Sequence, residues 1–305
     1  MKNCFDAAKK ISFLLLILTF SAAFSFAQAG RRSPVAMSES DGLVPVVVSR
    51  EGDSKEPVKT ENFALYENGV EQKIKAVTFD ATPARIVLLV DNSQTLRTDV
   101  VKMTAAVKEF AYEIYEGDQI FVAAYDEKAE IIEEWTDDAK KIEKSLATFR
   151  KKGNPRLFDS LGDVLEQVVR PLMPAVRKTA VVIVSDGLDR GSTKTFERIL
   201  ADYQSANVAI YAIQIPDRTG GAYRRDQPKP EAVIQKLTEG TGGKVFDFEE
   251  SQTAAKAICD ELKNNRYLLA YQPLNGGGVE ARRLFVVADK GINVRTKTTQ
   301  PPNIK

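Results

Sequence analysis

The sequence predicts an α/β fold: a doubly wound, mainly parallel sheet with small β-strand units flanking it at both ends. Three observations carry that expectation. The runs Arg85-Ile-Val-Leu-Leu-Val-Asp91 and Ala180-Val-Val-Ile-Val-Ser-Asp186 are the nearly continuous apolar stretches of strands covered on both faces. From residue 83 to 265 such strands alternate with segments of helical periodicity, which implies right-handed βαβ units. On either side of that stretch the pattern changes to short alternating strands and hairpin turns.

At the start, Lys2, Lys9 and Lys10 lead into the apolar stretch Ile11 to Phe26, and Ala27-Gln28-Ala29 follows. A basic region, an apolar region and a small-x-small site make 1–29 a cleavable export signal, so a periplasmic or secreted protein is expected. The alternative is an uncleaved anchor, because the apolar run nearly reaches spanning length. Residues 30–42 are polar and rich in small residues and read as a flexible lead. The unit 43–82 reads as β, with Val44-Pro-Val-Val-Val as one strand and Asn68-Gly69 as the turn of a hairpin between Phe63 and Ile74.

Within 83–265, Val100, Met103, Val107, Phe110 and Ile114 recur at helical spacing and predict a helix over 98–115. Strands are expected at 119–124 and 130–135. A helix capped by Asp137 or Asp138 should then reach Phe149, and another should run over 159–170 until Pro171 stops it. The alternation continues with strand 179–185, helix 194–206, strand 208–215, helix 230–239, strand 244–248 and helix 251–265, the last with Ser251 as N-cap. Its face of Ala254, Ile258 and Leu262 is expected to meet the flanking β units. The second of those units, 266–305, offers strands at 267–272, 283–288 and 293–298, with Asn275-Gly-Gly-Gly as a loop. The two units are expected to pack together, since two or three strands alone are marginal in water. Arg218 to Pro230 reads as a solvated excursion between a strand and a helix, with a partner-binding loop as the alternative.

Composition narrows the function. Lys and Arg number 43 against 42 Asp and Glu, a formal charge of +1, so no basic field invites nucleic acid. The chain has no His, which removes Ser-His-Asp and Cys-His catalysis and the usual zinc sites. No glycine-rich phosphate loop follows the first strand, so nucleotide binding is not expected. Cys4 would leave with the signal. Cys259 is then alone in a predicted helix, a small core residue with no partner for a disulfide.

What the two apolar runs deliver is chemistry. Asp91, Ser93 and Thr95 stand at i, i+2 and i+4 beyond the first, and Asp186 stands beyond the second. Open α/β sheets bind ligands at the carboxyl ends of such strands. Hard oxygen donors in this pattern suit Mg²⁺ or Mn²⁺, with waters completing an octahedron.

These residues, with the segments NFALYENGVEQKI, VLLVDNSQT, GNPRLFDSL, VVIVSDGLDRGS and LKNNRYLLAYQP, resemble the von Willebrand factor type A (VWFA) family, and within it the exported VWFA-related type common in Acidobacteria. The resemblance covers about residues 43 to 300. It implies a Rossmann-like doubly wound domain whose metal-ion-dependent adhesion site, or MIDAS, binds Mg²⁺ and through it an acidic side chain of a protein partner. Asp91, Ser93 and Thr95 match the family's D-x-S-x-S, with Thr in place of the last Ser, and Asp186 matches the acid of the second strand end. In GNPRLFDSL the family's metal-ligating Thr aligns with Pro155, which has no side-chain oxygen and no N–H. Asn154 replaces that ligand only if the loop path shifts.

Two readings of the four residues stay open. In one, Asp91, Ser93 and Thr95, with Asp186 through water, hold a divalent ion. In the other, the acid and hydroxyls cap the turns that follow them. Asp189 reads as a solvated loop acid, with a place on the rim of the site as the alternative, Asp159 as a cap of its own helix, and Arg150-Lys151-Lys152 as a solvated face that also has the charge to attract an acidic partner. The function expected is an exported, non-enzymatic, adhesion-type interaction module that takes a partner's Asp or Glu through a degenerate MIDAS. A metal-free scaffold whose β units make the contacts is the alternative. A metal-assisted hydrolase comes third, because no nucleophile or general base accompanies the acids.

Overall fold

The computed structural model of the protein describes residues 42–52, 56–173, 178–219, 228–274 and 279–302. The export signal, the lead up to residue 41, the Asn275-Gly-Gly-Gly loop and residues 220–227 of the excursion lie outside the described residues.

Three strands come first, β1 (Gly42–Arg50), β2 (Phe63–Glu67) and β3 (Val70–Phe79). The α/β region then runs β4 (Ala84–Asp91), α1 (Val100–Glu113), β5 (Gln119–Tyr125), β6 (Ala129–Thr136), α2 (Ala139–Leu146), α3 (Leu157–Asp163), β7 (Lys178–Ser185), α4 (Phe196–Ser205), β8 (Ala209–Gln214), α5 (Pro230–Thr241), β9 (Val245–Asp247) and α6 (Ser251–Asn264). Four strands close the chain, β10 (Arg266–Gln272), β11 (Arg282–Ala288), β12 (Ile292–Thr296) and β13 (Thr299–Gln300).

The central sheet has the order β6-β5-β4-β7-β8-β9. Every pairing is parallel except that of β6 with β5. Strand β4 shows why: Ile86, Val87, Leu88, Leu89 and Val90 are all fully buried. Ile86, Leu88 and Val90 pack with Met103, Phe110 and Ile258 on one face. Val87 and Leu89 pack with Leu161, Ile199 and Leu237 on the other. Each such side chain contributes roughly 1.5–3 kcal/mol by leaving water, so the central strands are fixed with both faces covered. The connections to either side of β4 diverge, and the resulting crevice lies at the carboxyl ends of β4, β7 and β8.

Helix starts follow local hydrogen bonding. Asp99 accepts from Lys102 N–H at the start of α1, Asp138 from Lys140 and Lys141 at α2, and Thr195 from Arg198 at α4. The helix expected to begin with Ser251 as cap differs: a 3₁₀ turn over Phe248–Glu250 precedes it, Asp247 accepts from Glu249 N–H, and Ser251 is already helical. The helix expected over 159–170 is also redrawn. It starts at Leu157, widens into π-type turns over Val164–Val169 and ends in a 3₁₀ turn, Arg170–Leu172. Pro171 has no N–H to give and crowds the carbonyl four residues back, and ahead of it Arg170 N–H reaches to Leu165 O, five residues away.

Strands from both ends of the chain interleave in one antiparallel sheet, β12-β1-β10-β3-β2-β11-β13. Its inner face gathers Val44, Val46, Val48, Leu65, Leu269, Tyr271, Leu284 and Val286 into a core of its own. Asn68 and Gly69 join β2 to β3 with φ of 50° and 83°, the doubly left-handed turn that matches strand twist.

The contact between this sheet and the α/β region corrects one expectation. Ala254, Ile258 and Leu262 of α6 are buried against the central sheet, because the apolar stripe of a crossover helix is needed to cover its own sheet. Hydrogen bonds tie the two sheets together beside apolar residues such as Leu43, Val208 and Leu268. Lys178 Nζ donates to Asp80 O and Leu262 O, both at 2.7 Å. Lys297 Nζ donates to Gln204 O at 2.8 Å and Asn207 Oδ1 at 2.6 Å. Asn265 Nδ2 donates to Val48 O at 2.8 Å. Cys259 is buried and free.

Candidate functional site

Three neighbouring strand ends build the site. Asp91 is the last residue of β4, and its side chain folds the next turn by accepting from Ser93 N–H (2.9 Å) and Ser93 Oγ–H (2.6 Å) at Oδ1. Asp186 follows β7 directly and accepts from Leu188 N–H at 3.0 Å. Below them Tyr125 O–H donates to Ser185 Oγ at 2.8 Å, and Ser185 Oγ–H donates to Asp91 Oδ2 at 3.2 Å. Burial, and after it the charge of Asp91, hold the Tyr125 phenol well above its ordinary pKa, so it stays a donor.

The third strand end supplies what the sequence reading placed in a solvated excursion. Arg218 lies just past β8 and is buried, with Asp91, Ser93 and Asp186 fully enclosed around it. Its Nε donates to Asp186 Oδ2 (2.5 Å), its Nη2 to Asp186 Oδ1 (2.7 Å) and Asp91 Oδ2 (2.5 Å), and its Nη1 to Ser93 Oγ (2.7 Å) and Thr95 Oγ1 (2.8 Å). A guanidinium has five N–H donors, and all five are used. Burial opposes its charge, but the hydrogen bonds to Asp186 and the charges of both acids outweigh burial and raise its pKa above the ordinary arginine value.

The structure therefore brings Asp91, Ser93, Thr95 and Asp186 to one point, and a guanidinium stands at that point. Asp91 accepts four hydrogen bonds, from Ser93 twice, Ser185 and Arg218. Asp186 also accepts four, from Leu188 and from Arg218 Nε, Nη2 and backbone N–H. A carboxylate has about four lone-pair positions. With Arg218 seated, the set does not fit a divalent ion as well: its donors are saturated and its centre is filled. Thr95 alone of the four is exposed, at the rim.

The surrounding loops lock this arrangement. Lys152 N–H donates to Asn92 O, Gln94 N–H to Gly153 O, Arg156 N–H to Asp126 O and Arg190 N–H to Pro155 O. Pro155 thus contributes its carbonyl to the neighbouring loop, and Asn154 is exposed beside it. Two sequence expectations change here. Asp189 is not a solvated acid: it accepts from Phe158 N–H in the first turn of α3 and from Ser192. Asp159 does not cap its own helix: it accepts from Thr193 and Lys194 N–H. Each acid fastens the backbone that carries the other. The basic triplet also has local duties, since Arg150 binds the carbonyls of Ala147 and Phe149, Lys151 those of Leu96 and Thr98, and Lys152 pairs with Glu130.

Beside the network, at the same carboxyl edge, opens a cleft of about 840 Å³ lined by Asn154, Arg156, Phe158, Leu188, Arg190 and Val233 among others. Among the described residues neither the Arg156 nor the Arg190 guanidinium has a hydrogen bond or ion pair.

A profile of the von Willebrand factor type A domain matches residues 86–260, a span that begins in β4 and ends within α6. The chain belongs to the von Willebrand factor type A family. Solved structures similar to this VWA protein include an aerotolerance-related membrane protein from Bacteroides fragilis, at 17% identity and TM-score 0.44 over 59% of this chain and 98% of that one. A von Willebrand factor type A protein from Catenulispora acidiphila is 14% identical with TM-score 0.48, covering 79% of this chain and 73% of that one. Proximal thread matrix protein 1 of the mussel byssus is 16% identical with TM-score 0.47, covering 61% and 49%. A search of curated proteins gives no match.

Arg218 is the site residue that sequence reasoning missed. The signal was present: Ile213-Gln-Ile-Pro-Asp-Arg218 puts a cation beyond the end of a third buried strand, at the same sheet edge as the two acids. It was hidden because the Gly and Pro residues that follow give the stretch the composition of a loop.

Proposed function

We propose that this VWA protein is an exported, non-enzymatic interaction module that meets an acidic group of a protein partner at the carboxyl edge of its central sheet, without a metal in its resting state. The observation that carries this reading is the pairing of a self-neutralised network with two arginines on the adjoining cleft, Arg156 and Arg190, whose guanidinium groups have no hydrogen bond or ion pair among the described residues. Two acids that each accept four hydrogen bonds are not available as general base or nucleophile. In this reading the partner's Asp or Glu meets the rim arginines, and a bidentate arginine–carboxylate contact gives it orientation as well as charge. Glu127, also on the cleft, disfavours a second acid beside the first.

A second reading keeps Mg²⁺ at Asp91, Ser93, Thr95 and Asp186, and the convergence of those four residues favours it. The two differ in one cheap test. Partner capture from the exported fraction, quantified by crosslinking, should survive EDTA and fall at least tenfold in Arg156→Glu/Arg190→Glu. Capture abolished by EDTA and indifferent to the two arginines would reject the metal-free reading.

A further inference from the structure

We infer that Arg218 is the resident cation of this site, a covalently tethered guanidinium in the position where the resemblance implies a divalent metal, and that a metal site exists only once Arg218 is taken away. The inference concerns the occupant of the site and stands whether or not the partner binds at the cleft.

The geometry matches donors to acceptors one for one. Five N–H groups meet Asp186 Oδ1 and Oδ2, Asp91 Oδ2, Ser93 Oγ and Thr95 Oγ1. The planar fork on Asp186, through Nε and Nη2, is the contact guanidinium makes and an ammonium cannot. Ser93 Oγ carries the charge pattern onward, accepting from Arg218 while donating to Asp91 Oδ1. Two carboxylates bring two negative charges into a fully buried space. The guanidinium offsets one directly, and the N–H groups of Ser93, Leu188 and Arg218 itself spread the other.

The backbone keeps Arg218 there. Ile215 N–H still bonds Ser185 O at 2.9 Å, so the chain remains zipped to β7 past the end of β8, and Arg218 N–H bonds Asp186 three residues later. The ordering of the side chain is met as part of folding, whereas a free ion competes from solution against an intramolecular group. Mg²⁺ also sheds its waters reluctantly and usually retains several, and here the space for them is taken by the guanidinium. Pro155 removes a further donor from the ion's side of that contest.

Removing the side chain reverses the argument. Arg218→Ala leaves Asp91, Ser93, Thr95 and Asp186 around a space of guanidinium size with no cation to balance the two carboxylates, a donor set that suits Mg²⁺ or Mn²⁺ with retained waters.

The test uses the full chain as wild type, Arg218→Ala and Arg218→Ala/Asp91→Asn, with Mn²⁺ as probe by electron paramagnetic resonance and Mg²⁺ as competitor. Expected are no saturable Mn²⁺ binding in the wild type at millimolar metal, one saturable site in Arg218→Ala that Mg²⁺ competes for, and at least tenfold weaker binding in the double variant. Melting of Arg218→Ala, but not of the wild type, should rise with Mg²⁺. Saturable one-to-one binding to the wild type, or an Arg218→Ala protein that is as stable as wild type and binds no metal, overturns the inference. If Arg218→Ala does not fold, the Arg218 Nε–H resonance of the wild type decides: a slowly exchanging signal unmoved by Mg²⁺ or EDTA is expected, and one that shifts or exchanges rapidly when Mg²⁺ is added overturns it.

Discussion

Arg218 and Asp186 are joined three times, by Nε, Nη2 and the Arg218 backbone N–H, although 32 residues separate them in sequence. The contact exists because β7 and β8 are neighbouring parallel strands, paired from Ala180–Ala209 to Ser185–Gln214, so that residues just past their ends face one another. It converts a pair of buried acids from a cost into a closed network.

Arg218→Ala should therefore be strongly destabilising. Breaking a buried ion pair from one side leaves an uncompensated charge and costs about 3–5 kcal/mol. Arg218→Lys should recover only part of that loss, since an ammonium cannot reproduce the fork on Asp186. Urea unfolding of the three proteins, extrapolated to water, checks the order wild type, Lys, Ala; a lysine variant equal to wild type would show that charge alone matters.

The buried Lys297 between the sheets makes a pH-dependent prediction. Burial, and after it the charge of Arg282, push Lys297 down to about 7, whereas an unfolded lysine titrates at about 10.4. Between those values the unfolded chain holds a proton that the folded protein has released, so stability rises with pH through that window, by roughly 1.4 kcal/mol per pH unit at most. Below pH 7 both states are protonated and the burden of the buried charge is full and constant. Lys297→Met lacks this titration, so its stability relative to wild type should be highest at pH 6–7 and decline steadily toward pH 10. Parallel stability curves for the two proteins would show that Lys297 is not depressed.

Asp159 and Asp189 should act as a unit. Each alone to Ala should cost about 0.5–2 kcal/mol, the range for a lost cap. Because Asp189 fastens the turn that carries Asp159, and Asp159 the loop that follows Asp189, the double variant should lose less than the sum, with a coupling of roughly 0.5–3 kcal/mol. Additive losses in a double-mutant cycle would separate the two contacts.

Much of this was legible in the sequence, for identifiable reasons. The buried strands announced themselves because Ile86 to Val90 and Val181 to Val184 must be apolar on both faces. Asn68-Gly69 announced its turn because two left-handed residues in succession require that chemistry. Asp91, Ser93, Thr95 and Asp186 could be grouped because strand ends in a parallel sheet share an edge. Roles that depend on three-dimensional neighbours were not legible: Asp189 and Asp159 cap one another's segments across more than 30 residues, and no spacing rule reports that. Arg218 was lost to its surroundings, since a run rich in Gly, Pro and Arg is read by composition as solvated. The face of α6 reads as a contact for the β units because amphipathicity gives a stripe and not its partner, which is the central sheet.

The occupant of the site is seen most directly in an anomalous-scattering map from crystals of the full chain grown with millimolar MnCl₂. Guanidinium density is expected between Asp91 and Asp186, with no manganese peak there. A manganese peak within bonding distance of Asp91, Ser93 and Thr95, with Arg218 turned out of the site, would contradict that expectation.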